Sequence, residues 1–196
     1  MRDGIYVAVD FESSTQHGTW MAYCIMVCNY PQGDVLHVFT DQCCRNWNID
    51  FDNATRSFWC NNSYQYRILV ESASPVDEAE KRLCESVDFL KSKYPDFVLL
   101  CDNPSFDVAM MTDILRRHDR PPITERLTGY RQTVDTWSYK LAIKTLFPSY
   151  EAQGRLRAVA RIADSTVKHL PVYDTARIMT SFFESLDFAK GWRSHF

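Results

Sequence analysis

The sequence predicts an α/β fold in which a mixed sheet, an antiparallel hairpin continued by parallel strands, carries helices packed against it. Three observations lead there. Residues 19–39 form two strand-like runs joined by a turn, so the first strand of the chain is followed by a hairpin. Beyond residue 74, strand-length apolar runs alternate with helical stripes, the pattern that pairs strands in parallel through crossovers. The chain is 196 residues long, 45% hydrophobic and 24% charged, which suits one well-buried core and is short for two, so residues 1–196 are read as a single domain.

Tyr6-Val7-Ala8-Val9 reads as a buried strand, and it ends by projecting Asp10 and Glu12 from one face, because strand side chains repeat every two residues. The aromatic and β-branched run 19–30, the turn Pro31-Gln32-Gly33 and the run Val35–Phe39 complete the hairpin. Residues 41–53 are polar and rich in Asn and Asp, a loop. Residues 54–70 are compatible with a helix that carries Phe58 and Trp59 on its exposed side. Ser74 as N-cap and Pro75 at the first helical position open a helix whose apolar stripe is Val76, Ala79, Leu83, Val87 and Leu90, stopping before Pro95. Phe97–Cys101 is a second buried strand that runs into Asp102-Asn103-Pro104-Ser105-Phe106-Asp107 and a helix to about His118. Pro121-Pro122 punctuates the chain. Thr133–Asp135 reads as a short strand, Trp137–Phe147 as a helix ended by Pro148, and 155–162 as a short helix. Pro171 fits the first turn of a closing helix with Val172, Ala176, Met179, Phe183 and Leu186 on its buried side.

Composition narrows the class. No apolar run approaches the ~20 residues a membrane span needs, and Met1-Arg2-Asp3-Gly4 does not begin a signal peptide. A cytoplasmic, reducing compartment is the expectation. Seven cysteines without a CxxC pair or His doublet indicate neither a disulfide framework nor a zinc site, so they are read as free thiols. The net charge of −3 is unevenly spread. Segment 116–168 holds eleven Lys/Arg against five Asp/Glu, a net +6, and the first 115 residues carry −9. A basic half set against a carboxylate-bearing half suits a polyanion held near bound cations, although charge alone favours the simpler reading of a solvated helix face.

The acids carry the chemistry. Asp10 and Glu12 at one strand end, with Cα atoms roughly 6–7 Å apart, repel each other beside an apolar core, and a divalent cation relieves that repulsion. Asp107 and Asp174 each read singly as helix-start carboxylates, and His169 as a surface imidazole. Taken together, Asp-x-Glu at the first strand end, Asn-x-x-Phe-Asp after a later strand and His-x-x-x-x-Asp at the last helix resemble the three motifs of the DEDDh 3′-to-5′ exonucleases, of the ribonuclease H-like fold. Asp10 and Glu12 match the first motif, Asp107 with Asn103 and Phe106 the second, and His169 with Asp174 the third, so the resemblance spans nearly the whole chain in order. Thr55-Arg56-Ser57-Phe58-Trp59 is similar to a segment of the small stand-alone exoribonuclease and phage-type exonuclease branch. Cys101-Asp102 departs from the family, where Ala-His is common, and leaves the role of Asp102 open.

The resemblance implies a metal-dependent exonuclease that hydrolyses phosphodiester bonds from the 3′ end of single-stranded RNA or DNA and releases nucleoside 5′-monophosphates. Two Mg²⁺ or Mn²⁺ ions would be held by Asp10, Glu12, Asp107 and Asp174, with His169 as general base; hard ions want carboxylate oxygens, and an imidazole with a pKa near 6.5 takes a proton at neutral pH. Phe11, Ser13, Phe58, Trp59 and Asn103 are the candidate substrate-binding residues, the aromatic ones as stacking faces. Asp135 falls where relatives often carry an acid and is not assigned as a ligand. The partners implied are a nucleic-acid 3′ end and no membrane, with room for a homodimer. The competing reading is a nucleic-acid-binding domain of the same fold that does not cleave.

Overall fold

The computed structural model describes residues 3–14, 19–43, 51–126, 133–148, 159, 161–162 and 167–193. Five strands form one sheet in the order β3-β2-β1-β4-β5: β1 (Gly4–Ser13), β2 (Trp20–Tyr30), β3 (Val35–Gln42), β4 (Val98–Cys101) and β5 (Thr133–Asp135). The first three are antiparallel neighbours, whereas β4 pairs in parallel with both β1 and β5. This is the mixed sheet that the alternation of patterns predicts. The β2–β3 turn closes with Gly33 at φ 73, a conformation that glycine adopts without a Cβ clash.

Alternation along β1 divides the core. Val7, Val9 and Phe11 face one side, where α3 (Val76–Lys93) and α4 (Pro104–Arg117) pack through Ala79, Leu83, Val87, Leu90, Met111 and Ile114. Tyr6 and Ala8 face the other, covered by α6 (Pro171–Arg193) through Ala176, Met179, Phe182, Phe183 and Leu186. The stripes expected for α3 and α6 are the buried ones, with Val76 and Val172 partly covered at their helix starts.

Three local features differ from expectation. The segment 54–70 is two helices, α1 (Asn53–Asn61) and α2 (Ser63–Glu71), broken at Asn62, whose side chain and amide both bond the Phe58 carbonyl, at 2.9 and 3.0 Å. Ser74 is not the cap of α3: its amide donates to Gln42 O at 2.8 Å in a bridge beside β3, and Pro75 O accepts the first helical bond, from Ala79 N at 3.0 Å. β3 extends to Gln42 into the expected loop, of which 44–50 lie outside the described residues. Of the short helix expected over 155–162, Val159, Arg161 and Ile162 are described and helical, and the rest lies outside the described residues. α5 runs Thr136–Leu146, with the Asp135 carboxylate as its N-cap, accepting from Ser138 N at 2.9 Å.

Among the described cysteines all six are free thiols, five buried and Cys60 exposed. No described helix is long and apolar enough to cross a membrane.

Candidate active site

Parallel pairing sends β1, β4 and β5 in the same direction, so their carboxyl ends emerge at one edge of the sheet. The parallel pairing of β1 ends at Ala8 opposite Leu100, and β1 then runs on past it with Asp10 and Glu12. Crevices of this kind, where the chain departs to both sides of a sheet, are where open α/β folds bind ligands. β4 delivers Asp102 and, one turn into α4, Asp107; β5 delivers Asp135. The β1–β2 register shifts between Glu12 and Ser13, at this edge of the sheet.

Asp10 and Glu12 continue the Tyr6/Ala8 face, which α6 covers, and Asp174 lies in the first turn of α6. The three carboxylates offer oxygens that all lie within 4.8 Å of one another. Thr175, wholly buried beside Asp174, fixes that turn: its hydroxyl donates to Pro171 O at 2.8 Å and lies 3.2 Å from the Cys24 sulfur, on the residue directly opposite Asp10 in β2. Asp107 is positioned separately, 3% exposed, with Oδ1 accepting from Phe11 N at 3.1 Å.

Burial and mutual repulsion work against ionisation here. Asp10 is pushed well above the usual carboxylate range by burial, then by Glu12, Asp107, Asp174 and Asp102. Burial and the charges of Asp174 and Asp107 raise Glu12 to about 8. Burial raises Asp107 to about 7 against the amides of Phe11 and Asn103, and Asp174 to about 6, with Asp102 adding and Lys168 opposing. Oδ2 of Asp10 is enclosed and has no hydrogen-bond partner among the described residues. An orphaned carboxylate oxygen amid two further carboxylates fits a hard divalent cation, whose charge would remove the repulsion and whose preference is for oxygen donors.

Next to this centre is an open pocket of about 360 Å³. Phe11, Glu12 and Ser13 line it from β1, Thr55, Phe58 and Trp59 from α1, and Phe106 from α4. Asp52 caps α1 by accepting from Thr55 N at 2.7 Å, and α1 is anchored by Trp59, which packs with Met21, Ala22 and Leu69. Trp59 is therefore 4% exposed, against the expectation of an exposed pair, and Phe58 alone of the two stands out, at 37%. The Phe58 ring meets the His169 ring edge-on at 5.3 Å. His169 itself takes φ 62, and its pKa is lowered by burial and by Lys168. Phe11 is both core and pocket wall, packed on Trp20 and Tyr23.

The structure thus brings Asp10, Glu12 and Asp174 together, joins Phe11, Ser13, Phe58 and Trp59 in one pocket, and sets His169 against a pocket wall. Asn103 is outside the pocket lining. Its carbonyl starts α4 by accepting from Phe106 and Asp107 amides, both at 2.9 Å, and its side chain accepts from Ser105 Oγ at 2.6 Å. Phe106 was legible only as a motif position and turns out to line the pocket. Asp102 accepts from the Thr136 hydroxyl and lines a second, smaller cleft with Asp174; nothing in its local sequence signals that meeting.

No protein-family model matches the chain, and no curated protein matches it in sequence. Solved structures do match in fold. One is the nuclease domain of 3′hExo, a DEDDh family member, bound to rAMP: TM-score 0.51 and 12% identity, over 96% of this chain and 94% of that one. Cell-death related nuclease 4 (CRN-4) matches with TM-score 0.58 and 12% identity, over 94% of this chain and 64% of that one. E. coli exonuclease I with a 5cy-dA13 oligonucleotide matches at TM-score 0.60 and 12% identity, over 92% and 40%; its zinc-bound complex with single-stranded DNA gives 0.55 at the same identity, over 96% and 40%. This chain spans nearly all of the first and less than half of exonuclease I. The fold is therefore ribonuclease H-like, the mixed-sheet architecture of 3′-exonuclease domains.

Proposed function

We propose that this protein is a divalent-metal-dependent 3′-to-5′ exonuclease acting on single-stranded nucleic acid and releasing nucleoside 5′-monophosphates, with residues 1–196 as one catalytic domain. The observation that carries this reading is the enclosed, unpartnered Asp10 Oδ2 with Glu12 and Asp174 oxygens within 4.8 Å. Asp10, Glu12 and Asp174 would hold Mg²⁺ or Mn²⁺, with Asp107 supporting a second ion. Ions there supply Lewis-acid stabilisation of charge on the attacking and leaving oxygens of an in-line displacement.

The chain's own residues do the rest. Glu12 belongs to both the carboxylate centre and the aromatic pocket, so a nucleoside seated between Phe11 and Phe58 brings its sugar against the centre. His169, held below its ordinary pKa, is neutral at pH 7 and free to take a proton from the attacking water. The aromatic side chains of the pocket accept a base by stacking, which is tolerant of sequence. The Thr55–Trp59 wall supports the finer placement near the small stand-alone branch, and the six described free thiols suit a cytoplasmic protein.

The test uses a 5′-labelled single strand and the same strand closed into a circle, each with Mn²⁺ or with EDTA. The expected result is a ladder shortening from the 3′ end with metal alone, and an intact circle. A cut circle rules out the exonuclease reading, and retention of the strand without any cleavage favours the non-cleaving binding domain.

A further inference from the structure

Two openings flank the carboxylate centre, and they differ in charge. The aromatic pocket on the Glu12 side has no Lys or Arg among the described residues that line it. The other opening, about 90 Å³, lies between α5 and α6 on the Asp174 side, where Asp102, Trp137, Lys140 and Arg177 line it. Lys140 and Arg177 make no ion pair or hydrogen bond among the described residues, although two carboxylates share their cleft. One of these, Asp102, is already engaged by the Thr136 hydroxyl. Trp137 stands at the rim, 63% exposed, with no packing partner in the sheet's cores. Unspent cations beside a site this rich in carboxylates mark a seat for an anion supplied from outside the chain.

We propose that this cleft holds the phosphate one linkage upstream of the scissile one, between Lys140 and Arg177, with Trp137 as the platform for the adjoining base. This rests on the exonuclease reading above. Charge and size set the polarity. A 3′-terminal nucleoside carries no phosphate beyond its sugar and suits the larger aromatic pocket, whose described lining holds no Lys or Arg. Every nucleotide upstream adds a phosphate and needs a cation. At about 90 Å³ the cleft is only a few waters in size, enough for a phosphate group and too small for a base, which must therefore lie across its mouth, against the exposed Trp137 that lines it. Asp174 is a wall of the cleft and a member of the carboxylate cluster, so the two seats are one side chain apart, as consecutive linkages of a strand require.

The test compares an ordinary single strand with one carrying an uncharged methylphosphonate at that linkage. KM and kcat are measured with Mn²⁺, and binding by fluorescence anisotropy in EDTA. For the wild-type protein the neutral linkage should raise KM about tenfold and leave kcat within about threefold. The Lys140→Ala/Arg177→Ala double variant should show the same loss on the ordinary strand and no further loss on the methylphosphonate strand. Its dependence of log KM on log salt should also be shallower by about 0.7, the contribution of one neutralised phosphate on a single strand. Arg177 is exposed and Lys140 half-buried, and unchanged thermal melting verifies the fold of the variant. A wild-type protein that cleaves both strands with equal KM, or a double variant that still distinguishes them, overturns the cleft assignment and leaves the exonuclease standing. A wild-type protein that neither binds nor cleaves any single strand overturns both.

Discussion

Asp107→Asn tests whether the acids at this sheet edge are poised against their own charge. Asp107 is almost completely buried, with its carboxyl pushed from an ordinary 3.8 to about 7. Between those values the folded protein keeps a proton that the unfolded chain has lost, so stability falls as pH rises through that window and is level beyond it. At 1.36 kcal/mol per unit, three units amount to about 4 kcal/mol of destabilisation by pH 8 and well under 1 kcal/mol at pH 4. Asparagine has no charge to bury, and its side-chain oxygen still accepts the Phe11 amide. In metal-free buffer the variant should therefore gain on wild type by about 3–4 kcal/mol between pH 4 and pH 8. Urea unfolding at 25 °C measures this directly, with m unchanged if the denatured state is unaffected. Adding Mn²⁺ at pH 8 should close most of that gap, because an ion at 100 times its Kd stabilises the wild type by about 2.7 kcal/mol and binds the variant weakly. A variant less stable than wild type at pH 8, or one whose difference is the same at both pH values, refutes the reasoning.

Two further outcomes follow from the pocket. His169→Ala should slow turnover by about 10²–10⁴-fold with metal affinity unchanged, and should abolish the wild-type rise in kcat through a pKa below 6.5, as a pH–rate profile in Mn²⁺ will show. Phe58→Ala and Trp59→Ala should part company: loss of the half-exposed Phe58 raises KM about tenfold at little cost in stability, whereas loss of buried Trp59 costs about 3–5 kcal/mol in urea unfolding because α1 loses its anchor.

Much of the fold was legible because it is written in short-range periodicity. The alternation that buries Val7 and Val9 on one side and aims Asp10 and Glu12 at the other needs only the pleat of a strand. The stripes of α3 and α6 need only 3.6 residues per turn. Errors fell where a specific contact outbid a local preference. Ser74 has the chemistry of a cap, but its amide is committed to Gln42 O, which frees it from that role. Residues 54–70 have helical composition throughout, yet Asn62 turns its amide and side chain back on Phe58 and divides them. Trp59 looked as exposed as Phe58 because nothing nearby in sequence says that Met21 and Ala22 wait beneath it. Glu80 is a further case: it is buried because Trp20, Arg117 and His118 all bond it, at 2.6–3.0 Å, from elements 37 to 60 residues away.

By itself the sequence determined the types and order of the elements, the acids at strand and helix ends, and the motif spacing, because each depends on backbone geometry over a few residues. Only the tertiary structure decided that Asp174 meets Asp10 and Glu12, that Asp107 is held by the Phe11 amide 96 residues away, and that two clefts of unlike charge flank one centre. Those meetings depend on which way β4 and β5 pair and on which face α6 covers. Such choices come from burying apolar area across the whole sheet, and no local pattern encodes them.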